Sequence, residues 1–290
     1  MKICLNCNIR FENKTWLCPS CYYQPEKMDG HYALTPDLNE HDLGFSQESF
    51  EKLYELEASN FWFRSRNQLI LWAIGKYFPE ASKMLEVGCG TGYVLAGINQ
   101  TFPELSLTGS DISSIGISYA AKRVNNAELV QFDASIIPYE HEFDIVGAFD
   151  VLEHIEKDDQ VLAQMNKALI APGGIIITVP QHPFLWSHTD ESASHKRRYS
   201  VGQLKEKVEA AGFDVVRTTS FVTLLFPLMV LSRFLKKRQG HKPENRSELR
   251  INRPLNYIFE KVLAFERLII KSGINLPFGG SLLLIARKVG

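Results

Sequence analysis

The spacing of apolar residues changes along the chain, and each change predicts an element. From Gln47 onward, Phe50, Leu53, Tyr54 and Leu56 recur three and four residues apart, which predicts a helix. A second apolar helix is expected over 61–78, stopping before Pro79. From there, apolar runs of strand length alternate with helical segments. Strands are expected at 84–90, 105–112, 127–134, 143–152, 173–180, 214–221 and 281–289. Helices are expected from near Gly92 and over 113–124, 158–169 and 201–213. Ser113 or Ser114 reads as an N-cap, Gly212 as a helix end, and Pro172-Gly173-Gly174 as the stop of the 158–169 helix. Such alternation implies an α/β fold with a doubly wound, mostly parallel sheet of seven strands. The last two strands are separated by residues 221–280, read as a helical insert with a helix over 254–270.

Ahead of Gln47 the periodicity fades. Residues 25–46 are polar, contain Pro and Gly, and read as a linker between a small unit at 1–24 and a main domain at 47–290. With 290 residues, 45% hydrophobic and 22% charged, the composition excludes a disordered or collagen-like chain. Lys and Arg number 32 against 33 Asp and Glu, so the net charge of -1 offers no global attraction to nucleic acid. The longest apolar run, Phe221–Leu231, lies in the uncharged window between Arg217 and Arg233. That window has 15 residues with Pro227 near its middle, short of the about 20 that a spanning helix needs. The start, MKICLNCNIRF, has no apolar leader core, so a cytoplasmic, reducing location is expected.

Four of the five cysteines, Cys4, Cys7, Cys18 and Cys21, form C-x2-C-x10-C-x2-C. Each C-x-x-C turn aims two thiolates at one point, and two such turns close a tetrahedral zinc site. A structural zinc knuckle over 1–24 is therefore expected, with no open position for catalysis and much of its folding energy supplied by the metal.

The sharpest signal is Glu86-Val87-Gly88-Cys89-Gly90-Thr91-Gly92, where the first strand meets its helix. In a doubly wound sheet this turn lies where ligands bind. Glycine there tolerates positive φ and a close-lying ligand. Asp111 ends the next strand 23 residues after Gly88 and can accept both hydroxyls of a ribose.

These residues resemble motif I and the following strand of class I S-adenosylmethionine-dependent methyltransferases, a Rossmann-like fold. Later segments continue the resemblance: QFDA, with Asp133 and Ala134; FDIVGAFDVLEHI, with Phe149 and Asp150; and PGGIIITVP. It covers about residues 60–219 and 276–288. It implies a cofactor site built from Glu86, Gly88, Cys89, Gly90, Gly92, Asp111, Ile112, Asp133, Ala134, Phe149 and Asp150. Asp111 would hold the ribose and Asp133 the adenine amino group. Cys89 reads as a small buried packing residue. FWFRSRN is similar to the segment before motif I in a bacterial branch. There Arg66, ahead of Arg64, would pair with the methionine carboxylate.

The acceptor side is read from two loops. Asp150, Glu153 and His154 resemble an acidic-acidic-His cluster of ubiquinone-biosynthesis O-methyltransferases that is linked there to a divalent metal. In this chain Glu153 and His154 read first as bordering the cofactor. The loop after the fifth strand carries His182, His188, Asp190, Glu191, His195, Arg197, Arg198 and Tyr199. Its pattern D-x4-H-x-RRY is similar to the same branch, with Ser194 where Gly commonly precedes the His. His195, Asp190 and His188 are the catalytic candidates, since an imidazole can take a proton at neutral pH. The Arg pair could hold an anionic group of the acceptor.

From Arg233 to Arg253 there are eight Lys or Arg against two Glu. Together with the apolar run Phe221–Leu231, this suggests that 221–253 contacts an anionic membrane. The expected activity is methyl transfer to a hydroxyl of a small or lipid-linked acceptor. An RNA methyltransferase with a zinc recognition module, and a non-catalytic scaffold binding protein through the knuckle, are the alternatives.

Overall fold

The computed structural model describes residues 1–35, 46–238 and 251–290, with the backbone alone at 234–238. A small hairpin of β1 (Lys2–Ile3) and β2 (Arg10–Phe11) opens the chain, followed by β3 (Glu26–Met28) and β4 (His31–Ala33). Helices α1 (Gln47–Glu57) and α2 (Phe61–Tyr77) lead into the alternating part. It runs β5 (Lys83–Val87), α3 (Tyr93–Thr101), β6 (Ser106–Asp111), α4 (Ser114–Arg123), β7 (Ala127–Gln131) and β8 (Phe143–Phe149). Then come α5 (Asp158–Ala168), β9 (Leu169–Pro180), α6 (His188–Ser192), α7 (Val201–Ala210) and β10 (Phe213–Phe221). The chain ends with α8 (Phe226–Arg238), α9 (Arg253–Lys271) and β11 (Ser281–Lys288).

One sheet runs in the order β10-β11-β9-β8-β5-β6-β7-β4-β3. Strands β5 to β9 are parallel, and β11 lies antiparallel between β9 and β10. The expected seven strands are all present, and two more extend the sheet. Residues 26–33, expected within the linker, form the β3–β4 hairpin instead. Strand β4 pairs parallel to β7 through Tyr32 opposite Val130 and Ala33 opposite Gln131. Three-residue strands carry too few positions to show a period, so only the free edge of β7 selects them. The rest of that linker, 36–45, and residues 239–250 of the basic stretch lie outside the described residues.

Local signals behave as their chemistry dictates. The Ser113 side chain accepts from the Gly116 amide to cap α4, and Gly212 closes α7 at φ +86. The Pro172-Gly173-Gly174 segment differs from expectation. Helix α5 ends at Ala168 and β9 starts at once, with a register shift between the Phe143 and Ile145 pairs. A Cβ on Gly174 would lie 2.3 Å from the Ala286 carbonyl oxygen, so glycine is needed there for strand approach rather than for helix termination.

Helices α2, α3 and α9 cover one sheet face, where Ile70, Ile98 and Leu263 share a core with Leu283 and Ile285 of β11. Helices α5 and α7 cover the other. Cys4, Phe11, Trp16 and Cys18 belong to that second core, so the N-terminal unit is docked rather than tethered. Trp16 donates to Glu128 at 3.0 Å and meets the Tyr139 ring edge-on at 5.4 Å.

Candidate active site

Every parallel strand ends on the same edge of the sheet, which gathers the candidate residues there. Between β5 and α3 the chain turns through Gly88 (φ +69), Gly90 (φ +50) and Gly92 (φ +73). A Cβ on Gly88 would sit 2.5 Å from the Val151 side chain, and one on Gly92 2.8 Å from Ala120. A Cβ on Gly90 would meet nothing within 4 Å, so this glycine leaves its backbone open above the turn. Asp111 braces the turn: its carboxylate accepts from the Gly90 amide at 2.8 Å and the Ser113 amide at 2.9 Å. Ile112 follows it, half-buried. At the end of β7, Asp133 accepts from the Ser135 amide at 2.8 Å, with Ala134 half-buried beside it.

Beneath the turn lies a buried charge cluster. Arg66 on α2 donates to Asp150 and stacks on the Trp62 ring, 4.7 Å away. Asp150 sits at φ +58 after Phe149, which is buried, and also accepts from Thr178 at 3.0 Å. Glu86 is buried, and its Oε2 meets no hydrogen-bond partner among the described residues. Burial pushes its carboxyl up to about 8, against the opposing pull of Arg66. Arg64 is bound instead to Glu260 on α9. Cys89 is buried with its thiol pushed well up by burial, a packing position rather than a nucleophile.

The sequence reading missed a latch on this turn. Glu57, at the end of α1, accepts from Thr91 and from Arg123 of α4, while Arg123 also donates to the Tyr54 carbonyl at 2.6 Å. It fastens α1 over the glycine turn. No spacing rule joins residues this far apart, so only their charges hinted at it.

On the acceptor side, Asp190 is fully buried and His195 Nδ1 lies 3.0 Å from its Oδ1. Arg198 donates to the same oxygen at 2.7 Å, and the Ser187 amide to the other at 2.9 Å. Burial would raise this carboxyl, but the His195 bond and the charges of Arg198 and Arg233 outweigh it and bring it down to about 2. Asp190 is thus ionised at neutral pH and acts only as an acceptor, so its hydrogen bond with His195 requires the proton on Nδ1 and turns Nε2 away from Asp190. The His195 ring meets His154 edge-on at 4.7 Å. Burial and the neighbouring His195 lower His154 to about 4, which keeps it neutral.

His188 does not join them: it is exposed and pairs with Glu191 at 2.7 Å. The Arg pair is also committed inward. Arg197 donates to the carbonyls of Ile155 and Glu156, and Arg198 to Asp190 and the Gln181 carbonyl. Neither is left over for an anionic acceptor.

The family resemblance groups Asp150, Glu153 and His154 as an acidic-acidic-His cluster, although Glu153 and His154 read first as bordering the cofactor. Asp150 is instead occupied by Arg66 and Thr178, and His195 takes its place. One ligand atom from each of Glu153, His154 and His195 lies within 4.8 Å of the others. Glu153 is buried, and neither of its carboxylate oxygens has a hydrogen-bond partner among the described residues.

The N-terminal cysteines form a second donor set, all four sulfurs within 4.8 Å of one another. The two C-x-x-C turns are copies of each other. Cys4 N–H donates to the Ile9 carbonyl and Asn8 N–H to that of Cys4; Cys18 N–H donates to the Tyr23 carbonyl and Tyr22 N–H to that of Cys18. Asn8 and Tyr22, equivalent in the two turns, both have positive φ, at 58 and 59. The Cys4–Cys21 and Cys7–Cys18 sulfurs are 3.6 Å apart, close to the edge of about 3.8 Å expected from two Zn–S bonds of about 2.3 Å in a tetrahedron. The set is compatible with zinc.

A family model described as a methyltransferase domain matches residues 54–218, which hold the glycine turn, Asp111, Asp133, Asp150 and the His195–Asp190 pair. The chain belongs to that family. The methyltransferase domain is 33% identical over 170 residues to the fatty-acid O-methyltransferase of Mycolicibacterium smegmatis, covering 55% of this chain and 60% of that protein. It is 25% identical over 114 residues to the malonyl-[acyl-carrier protein] O-methyltransferase of Priestia megaterium, covering 39% and 42%. The match thus spans less than two thirds of the length of these relatives. Among solved structures, it resembles the Haemonchus contortus phosphoethanolamine N-methyltransferase 2 in complex with S-adenosyl-L-methionine. The TM-score is 0.58 at 16% identity, covering 87% of this chain and 60% of that one. It also resembles the [4+2]-cyclase SpnF, with a TM-score of 0.51 at 20% identity, covering 78% and 81%. The methyltransferase fold therefore carries more than one chemistry, and function must be argued from the site.

Proposed function

We propose that the protein transfers the methyl group of S-adenosylmethionine to an oxygen of a small or lipid-linked acceptor. The observation that carries this reading is the open Gly90 backbone braced by Asp111 at the ends of the parallel strands. Asp111 stands at the end of β6 for the ribose hydroxyls, and Asp133 at the neighbouring strand end for adenine. The unbonded Glu86 oxygen beside Arg66 suits the ammonium and carboxylate of the methionine portion, because a cation near Glu86 would restore its ionised form. The cofactor supplies an electrophilic methyl, so the chain has to align the acceptor oxygen in line with it. His195 Nε2, oriented by Asp190, would take the acceptor proton. The fatty-acid and malonyl-acyl-carrier O-methyltransferases among the relatives favour an oxygen acceptor carried on an acyl or lipid group. Calorimetry tests the cofactor site: Asp111→Ala is expected to weaken S-adenosylmethionine binding by about 1–3 kcal/mol. Unchanged affinity would sink the assignment.

The Glu153 carboxylate, without a hydrogen-bond partner among the described residues, favours a second reading of the acceptor pocket, in which Glu153, His154 and His195 hold a divalent ion. One carboxylate and two imidazoles suit such a cation, and Asp190 behind His195 matches the carboxylate–histidine support of metal ligands. An ion there would supply a Lewis acid that acidifies an acceptor hydroxyl. Titration with manganese or zinc should show a binding step that Glu153→Gln removes. Titration curves that are flat or identical for the two proteins would leave only the His195–Asp190 base.

In the N-terminal unit, Cys4, Cys7, Cys18 and Cys21 would hold one structural zinc, with no role in methyl transfer.

A further inference from the structure

Helix α9 is apolar on two sides. Its inner side packs Leu263 and Ile270 into the core, and Asn256, Glu260 and Arg267 fasten it to the α1–α2 region through Phe61, Arg64 and Ser65. Its outer side should be polar, as on an ordinary surface helix. Instead Ile258, Lys261, Phe265 and Leu268 recur at spacings of three, four and three. The three apolar members of that stripe are 54%, 59% and 64% exposed. Tyr257, at 61%, widens it. Single exposed apolar residues are ordinary, whereas a stripe on one helix marks a contact surface.

The charges on α9 identify the partner. Its exposed charged residues are all basic: Arg253, Lys261 and Lys271. Both of its acids are withdrawn, Glu260 into the pair with Arg64 and Glu266 beneath the amides of Val222, Thr223 and Leu224. A symmetric contact with a second copy would set these cations against one another. An anionic lipid surface would neutralise them while taking up the apolar stripe, with the lysine stems lying along the apolar surface and their ammonium groups at the headgroups. Among the described residues, no helix is long and apolar enough to cross a membrane, so the contact would be peripheral.

We propose that the outer face of α9 docks the protein on anionic membrane surfaces. This contact lies on the helix that follows the 221–253 stretch named from the sequence, in which Leu228 and Leu231 are also exposed and 239–250 lie outside the described residues. Phe221, Val222 and Leu225 of that stretch are buried in the core. The proposal does not depend on which acceptor is methylated.

Flotation of the full chain with vesicles tests it. Vesicles containing phosphatidylglycerol should carry the protein, and pure phosphatidylcholine vesicles should carry much less. Raising the salt from 0.1 M to 1 M should release it, because screening shortens the Debye length from about 10 Å to about 3 Å. The double variant Phe265→Glu with Leu268→Glu should lose about tenfold or more in vesicle binding, while Lys261→Gln should lose about fivefold on anionic vesicles only. The variants must keep the parent melting temperature, which separates lost docking from lost folding; Ile136→Glu, on an exposed loop position away from α9, should bind as the parent does. Vesicle binding that both α9 variants leave intact would overturn the proposal. So would absence of binding to either vesicle type, or a dimer of the parent that Phe265→Glu dissociates.

Discussion

Replacing Asp190 by Ala is expected to lower the stability of the protein by about 3–5 kcal/mol, the usual cost of breaking a buried ion pair from one side. The magnitude follows from what the substitution leaves behind. Arg198 is buried, and without Asp190 its only remaining partner among the described residues is the Gln181 carbonyl at 3.1 Å. Arg233 loses a carboxylate 3.6 Å away, and Ser187 loses the acceptor of its amide and hydroxyl. Urea denaturation of both proteins measures the difference. The pH dependence gives an independent check through Asp190→Asn, which keeps the shape and removes the charge. The folded carboxyl titrates at about 2, below the ordinary carboxylate value of about 3.9. Its contribution is therefore complete above about pH 4 and is lost as pH falls toward 2. The penalty for Asp190→Asn should be full at pH 6 and shrink below pH 4. A penalty that stays constant over that range would show that charge is not what Asp190 supplies.

The second large effect is expected at the N-terminal unit. Protein purified without chelator should hold one zinc per chain, and Cys18→Ser should hold none. Isolated zinc modules draw on the order of 10–16 kcal/mol from the metal at pH 7. Here Cys4, Phe11, Trp16 and Cys18 are part of the core beneath α5 and α7, so the loss should spread beyond the knuckle. Hydrogen exchange should quicken over residues 1–23 and around Tyr139, whose ring packs on Trp16. Full zinc content in Cys18→Ser would refute the Cys4 assignment.

Much of the site was legible before folding because its chemistry is local. The glycine turn needs positive φ at Gly88, Gly90 and Gly92, and only closely spaced glycines supply it cheaply. Each C-x-x-C pair and the Ser113 cap likewise depend on neighbours within a few residues. Period-two and period-3.6 patterns marked the seven principal strands and most helices, because burial of one face repeats at short range. The same locality explains the errors. The β3 and β4 strands are too short to show a period. Pro172-Gly173-Gly174 reads as a helix stop only while the nearby Ala286 carbonyl is out of view.

What the tertiary structure alone decided are the partnerships between distant segments. An apolar pattern states which face of an element is buried but not what covers it. The insertion of β11 between β9 and β10, the docking of the knuckle on the α5 and α7 side, and the exposed apolar stripe of α9 all depend on that missing information. The charged side chains behave in the same way. Nothing in spacing tells Arg66 to choose Asp150, Arg64 to choose Glu260, or His195 to stand beside His154 and Glu153. A buried charge takes whichever opposite charge or polar atom the packed chain brings within reach, since leaving it unpaired costs several kcal/mol. The residue types were therefore written in the sequence, while their pairing was set by the fold.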